Sequence, residues 1–238
     1  MVDCTKYDKF EESIPEKGAS KLAIDPKTNV IYVANTGSNT VSVIKDDGNN
    51  IAIRNVFVGD NLSNLAVNPT TNKIYVLNTN SNTVSVIDGN TDSIMKVGGV
   101  RLPFDIDQST TIAVNPKANK IYVIGLVRDQ FSIIDGITDN IIPSKNQQVD
   151  ITSGLSGGPA TLAFNLKNDQ IYSANEYFDT VSFMNGSKFP YADAVSKVGG
   201  SPSDIAFDAS NNLIYVVNKH YNTIAIIQAT IYSNTKHG

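Results

Sequence analysis

Apolar residues along the chain fall into short runs, each cut off by a polar cluster, and the same succession of runs and clusters returns five times. The clearest copy is residues 65–99, LAVNPTTNKIYVLNTNSNTVSVIDGNTDSIMKVGG. Its first run, 65–67, stops at Asn68-Pro69, where proline has no N–H to give a ladder and asparagine tolerates a turn. Residues 73–77 (KIYVL) are β-branched and aromatic, and too few for a helix. After the polar stretch 78–82, TVSVI at 83–87 alternates, which sends Val84 and Ser85 to opposite faces of a sheet. Asp88-Gly89 supplies the positive φ of a tight hairpin. Residues 93–97 make a last, more polar strand before Gly98-Gly99. No apolar period near 3.6 residues persists long enough to predict a helix.

Ile-Tyr opens the second strand of every unit, at Ile31, Ile74, Ile121, Ile171 and Ile214, with successive spacings of 43, 47, 50 and 43 residues. First strands align as LAID (22–25), LAVN (65–68), IAVN (112–115), LAFN (162–165) and IAFD (205–208). Four strands in a period of about 40–50 residues are the mark of propeller blades. The fold predicted is all-β, a five-bladed β-propeller of four-stranded antiparallel blades in one domain over 1–238. The blades cover approximately 19–59, 62–99, 110–150, 160–199 and 203–228. The fifth unit lacks a fourth strand, and residues 10–17 resemble the fourth-strand endings at Lys96-Val97-Gly98 and Lys197-Val198-Gly199. The last blade is therefore expected to be closed by this N-terminal strand, which removes an exposed edge. The alternative is an arc cut from a larger ring.

The second-strand motifs Tyr32-Val33-Ala34-Asn35, Tyr75-Val76-Leu77-Asn78 and Tyr215-Val216-Val217-Asn218 resemble the YVTN family of β-propeller repeats. So does Ser-Asn-Thr-Val-Ser-Val-Ile at 38–44 and 81–87. The third and fourth units depart from it, with Tyr122-Val123-Ile124-Gly125 and Tyr172-Ser173-Ala174-Asn175. The resemblance covers nearly all of 10–228. It implies an extracytoplasmic or surface protein, in a family whose members often have seven blades and no assigned activity.

Composition narrows the classes. A net charge of −4 and a single cysteine argue against a nucleic-acid footprint, an intrachain disulfide and a thiolate metal cluster. No apolar run approaches a membrane span. The start MVDCTKYDKF has no apolar leader core. The expected location is extracytoplasmic or cell-surface, with a leader not present in this chain; the alternative is cytoplasmic. Asn61-Leu62-Ser63 and Asn185-Gly186-Ser187 match the glycosylation pattern but are given no role, and Cys4 reads as an incidental thiol.

In a four-strand blade, the loops joining strands two and three share a face, here termed upper, with the linkers between blades. Those loops are bland in the first two units, NTGSNT and NTNSNT, and distinctive afterwards. They carry Arg128 and Asp129 in the third unit, Glu176, Tyr177 and Phe178 in the fourth, and Lys219, His220 and Tyr221 in the fifth. The long linker after the second unit adds Arg101, Phe104 and Asp105. Aromatics beside charges on loops of a rigid scaffold make a recognition surface, and these eleven residues are the candidate ligand-binding set.

Catalytic signals are weak. Asp105, Asp107, Glu176 and Asp179 would serve as paired carboxylates only if they converge. His220 is the sole serious histidine, since His237 ends the chain. Gly157-Gly158-Pro159 reads as a turn, without the strand-to-helix context of a phosphate loop. The DGNTD and DGITD runs lack the full calcium loop. The reading is a non-catalytic binding or scaffold module, contacting a protein or a glycan, with no catalytic residue, metal or cofactor assigned. The alternative is a lyase or hydrolase working through His220 and nearby acids; a third option is a structural lattice unit.

Overall fold

The computed structural model of the chain describes residues 18–107, 110–125, 130–143, 159–186 and 194–229. They form five antiparallel sheets in sequence order, with no helix among them. The first contains β1 (Ala19–Ile24), β2 (Ile31–Asn35), β3 (Thr40–Asp46) and β4 (Ile51–Phe57). The second contains β5 (Leu62–Asn68), β6 (Lys73–Asn78), β7 (Thr83–Asp88), β8 (Ser93–Ile94) and β9 (Val100–Arg101). The third contains β10 (Thr111–Asn115), β11 (Lys120–Gly125) and β12 (Gln130–Asp135). The fourth contains β13 (Pro159–Asn165), β14 (Gln170–Asn175), β15 (Thr180–Asn185) and β16 (Ala194–Lys197). The fifth contains β17 (Pro202–Asp208), β18 (Leu213–Asn218) and β19 (Thr223–Gln228).

Turn chemistry explains why strands start and stop where they do. Asn29, Asn72, Asn119, Asp169 and Asn212 adopt positive φ just before each second strand. Asn39, Asn82, Asp179 and Asn222 do so just before third strands. Asparagine and aspartate bear the left-handed conformation at the least cost after glycine. The first strands of four sheets share a register break, between Ala19 and Lys21, Leu62 and Asn64, Pro159 and Thr161, and Pro202 and Asp204. A bulge of this kind bends the strand and sharpens its twist.

Alternation gives each sheet two apolar faces, and consecutive sheets share a core. Tyr32, Ala34, Val41 and Val43 of the first sheet pack on Leu65, Ile74, Val76 and Ile87 of the second. Tyr75, Leu77, Val84 and Val86 then pack on Ile112, Ile121, Val123 and Ile134. Tyr122, Ile124 and Phe131 meet Leu162, Ile171 and Met184. Tyr172, Ala174, Val181 and Phe183 meet Ile205, Ile214 and Val216.

The structure departs from the sequence expectation in three places. Four strands per sheet are seen in the first and fourth; in the third, the described residues beyond β12 contribute a bridge between Ile134 and Ile141, and residues 144–158 lie outside the described residues. In the second sheet the outer strand is broken. Only Ser93 and Ile94 pair with β7, the chain leaves through Gly98 (φ 78°) and Gly99 (φ 69°), and Val100–Arg101 returns to pair with Val84 and Thr83. Finally, β1 packs on β5, β5 on β10, β10 on β13 and β13 on β17, and no packing of that extent joins β17 to β1 among the described residues. Among the described residues five sheets thus share four cores, and no fifth core joining the last sheet to the first is seen. The strand expected from residues 10–17 lies outside the described residues.

Candidate functional site

A repeated clamp positions the upper face. The Asn39 side chain accepts the backbone N–H of Asn61 (2.9 Å), Asn82 that of Ile106 (3.1 Å) and Asp179 that of Ser201 (2.7 Å). In each case the left-handed residue of one loop holds the linker that enters the next sheet. The strand-ending asparagines form a second repeat. Asn35 Nδ2 donates to Thr40 Oγ1 (3.2 Å) and Ser42 Oγ (2.8 Å), and Asn78 Nδ2 to Thr83 Oγ1 (3.1 Å) and Ser85 Oγ (2.9 Å). Asn175 does the same to Thr180 (3.1 Å) and Ser182 (2.7 Å). This is why the motif ends in asparagine and the third strand begins Thr-x-Ser: the repeated letters lock a hairpin.

The sequence candidates separate on this scaffold. The fourth and fifth sheets bring six of them together. Ser201 Oγ donates to Glu176 Oε1 (3.0 Å), while the backbone N–H groups of Lys219 and His220 donate to the carbonyls of Ser201 (3.0 Å) and Gly200 (3.2 Å). The linker 199–201 thereby ties the loop carrying Glu176, Tyr177 and Phe178 to the loop carrying Lys219, His220 and Tyr221. Tyr177, Phe178 and Tyr221 are each more than half exposed. The His220 ring meets Tyr221 edge-on, with centroids 4.7 Å apart. Gly199 matters here: its φ is 133° and a Cβ would lie 2.9 Å from Asn218 Nδ2.

Others go elsewhere. Phe104 is buried in the core between the second and third sheets, so it offers no surface; proline before it and aspartate after it gave no sign of this. Arg101 is exposed within β9, where it pairs with Thr83, and is therefore a strand residue and not a free linker. Asp105 accepts from Asn82 Nδ2 (2.8 Å) at the same junction. Glu176 is engaged two junctions away, so these acids have separate structural partners. Arg128 and Asp129 lie outside the described residues. Among the described residues, no grouping of three or more His, Cys, Asp or Glu side chains fits a metal.

Sequence reasoning missed a buried polar cluster on the opposite face. Lys73 Nζ meets Asp139 Oδ2 (2.7 Å) and the carbonyls of Gly136 and Ile137 (both 3.1 Å), and Tyr75 OH donates to Asp139 Oδ1 (2.7 Å). Burial, then the hydrogen bond to Asp139, pushes the Tyr75 hydroxyl far above its ordinary range. Lys45 and Asp92 (2.6 Å) make the corresponding bridge one junction earlier, where burial and the charges of Asp92, Asp25 and Asp88 push Tyr32 up to about 12. The recurring lysine or tyrosine near the second strand and the hairpin aspartate carried the signal. Lys73 and Tyr75 direct their donors to Asp139 and to two carbonyls of the next sheet, so the cluster ties the second sheet to the third.

No family model matches the sequence, and no curated protein is similar to it in sequence. Solved structures do match. A functionally unknown protein from Desulfotomaculum acetoxidans is 10% identical with a TM-score of 0.70, over 88% of this chain and 68% of that one. A chain of the nidogen/laminin complex is 16% identical with a TM-score of 0.60, over 91% and 78%. A chain of hydrazine synthase from Kuenenia stuttgartiensis aligns over 96% and 99% at 12% identity, with a TM-score of 0.48. The first two establish a β-propeller-type fold. At these identities the likeness shows the fold alone.

Proposed function

We propose that the chain is a non-catalytic binding module that engages a partner protein through the upper loops of its fourth and fifth sheets. The observation that carries this is the set of exposed rings, Tyr177, Phe178 and Tyr221, on two loops held to one linker through Ser201. Large aromatics with few rotors lose little entropy on binding and dominate interface energetics. Glu176 and Lys219 supply a rim of both signs beside the His220 imidazole. The chain of the nidogen/laminin complex that shares the fold was solved in a protein complex, which fits a protein partner; a glycan is the other ligand class this surface suits. Membership of the YVTN repeat family and an extracytoplasmic or cell-surface location belong to the same proposal. The outer side of β19 has no strand neighbour among the described residues.

The test is affinity capture with the full chain, followed by titration of the purified partner against variants. Tyr177→Ala and Tyr221→Ala should each weaken binding by about tenfold or more, the scale of an interface anchor, with His220→Ala close to wild type. Binding unchanged in both tyrosine variants overturns the site. A partner recovered only as a glycan moves the reading to the other ligand class. Turnover of a captured small molecule that disappears in His220→Ala supports the lyase or hydrolase instead.

A further inference from the structure

Among the described residues one apolar face is uncovered at each end of the series of sheets, and the two faces are the two halves of an interface the chain already makes four times. At the front, Leu22 and Ile24 of β1 are 66% and 53% exposed. Their repeat equivalents, Leu65 with Val67 in the second sheet and Ile205 with Phe207 in the fifth, pack against the preceding sheet. At the back, Val217, Ile224 and Ile226 of the fifth sheet are 43%, 63% and 61% exposed. The equivalent Leu77, Val84 and Val86 are covered by the following sheet. The clamp tells the same story in polar terms: Asn222 has the left-handed φ of Asn39, Asn82 and Asp179, and among the described residues it holds no linker N–H as they do.

We propose that the front face of one copy of this chain docks on the back face of a second copy, continuing the sheet-to-sheet packing across a head-to-tail interface. Such an interface is heterologous: the surface on one partner differs from the surface on the other, so association either closes into a ring or propagates. The occupant follows from complementarity. The back face is shaped to accept the rear of a β1-type strand with apolar residues two apart, and among the described residues the one uncovered surface of that kind is on β1. Exposed apolar faces of this sort mark association sites.

The experiment is sedimentation of the full chain across a wide concentration range, wild type beside Leu22→Lys and Ile224→Lys. Wild type is expected to exceed the monomer mass of 25.6 kDa increasingly with concentration, and each variant alone to remain monomeric. Mixed in equal amounts, the two variants should form a one-to-one dimer and stop there, because the intact back face of the first fits the intact front face of the second. Far-ultraviolet circular dichroism checks folding, and Ile24→Lys with Ile226→Lys repeats the test should either first variant misfold. A wild type that stays monomeric at every concentration overturns the proposal, as it would if the faces were covered within one chain. A variant that dimerises with itself overturns it too, because the interface would then be symmetric, and so does a mixture that fails to pair.

Discussion

Asn78 shows how much of the repeat is written in single side chains. Its amide reaches Thr83 and Ser85 across the loop that separates them from it, in a position with no access to water. Asn78→Ala leaves two hydroxyls without this donor and should cost about 1–3 kcal/mol, read from the urea midpoint at unchanged slope. Asn218 gives an internal control. Its bond to Thr223 is long (3.4 Å), its third strand has Ala225 where the others have serine, and it turns instead to the Val198 carbonyl (3.1 Å). Asn218→Ala should therefore be the milder change. Gly199→Ala meets both an unfavourable φ and Asn218, so it should destabilise by more than about 1 kcal/mol and weaken partner binding by loosening the linker between the two aromatic loops.

At the scale of elements, sheets are joined by apolar faces and by ionic ties beneath them. The Lys73–Asp139 pair is about nine-tenths withdrawn from solvent, with side chains 10% and 13% exposed. Removing one partner strands the other, so Lys73→Met should cost about 3–5 kcal/mol, and the pair Lys73→Met with Asp139→Leu less than the sum of the two single changes. Calorimetric or denaturant melts of the three variants decide it. The tyrosines of the second strands give a pH dependence. Burial first, then nearby aspartates, raises Tyr32 from 10 to about 12, and burial raises Tyr172 as well. A raised folded-state pKa favours the neutral phenol in the fold. Its stabilisation is thus complete below about pH 10 and lost as pH rises through about 12. Tyrosinate absorbance from Tyr32 should appear together with loss of β-structure in that window, and be absent from it in Tyr32→Phe.

For the whole molecule, a series of sheets that touch only their neighbours behaves as a short linear array, in which stability is a sum of unit and junction terms. The second, third and fourth sheets have two junctions each, the first and fifth one. Hydrogen exchange should show the greatest protection in β6, β7 and β11 and the least in β1 and β19. Association through the end faces would raise protection selectively at those two strands as concentration increases. Uniform protection across all five sheets would show that the chain melts as one unit.

Strand positions, turn positions and the number of units were legible in the sequence because each depends on chemistry within a few residues. Alternation fixes which side chains share a face, Asn68-Pro69 ends a strand, and asparagine takes the left-handed turn. The six upper-loop residues of the fourth and fifth units were legible as departures from the repeat. What only the tertiary structure decided was burial and company. It sank Phe104 into a core, recruited Arg101 to a strand, joined Glu176 to the fifth sheet through Ser201, and left Leu22 and Ile224 uncovered. Those outcomes depend on how whole sheets sit against one another, a sum of many weak contacts between residues far apart in the chain. No short stretch of sequence contains that sum.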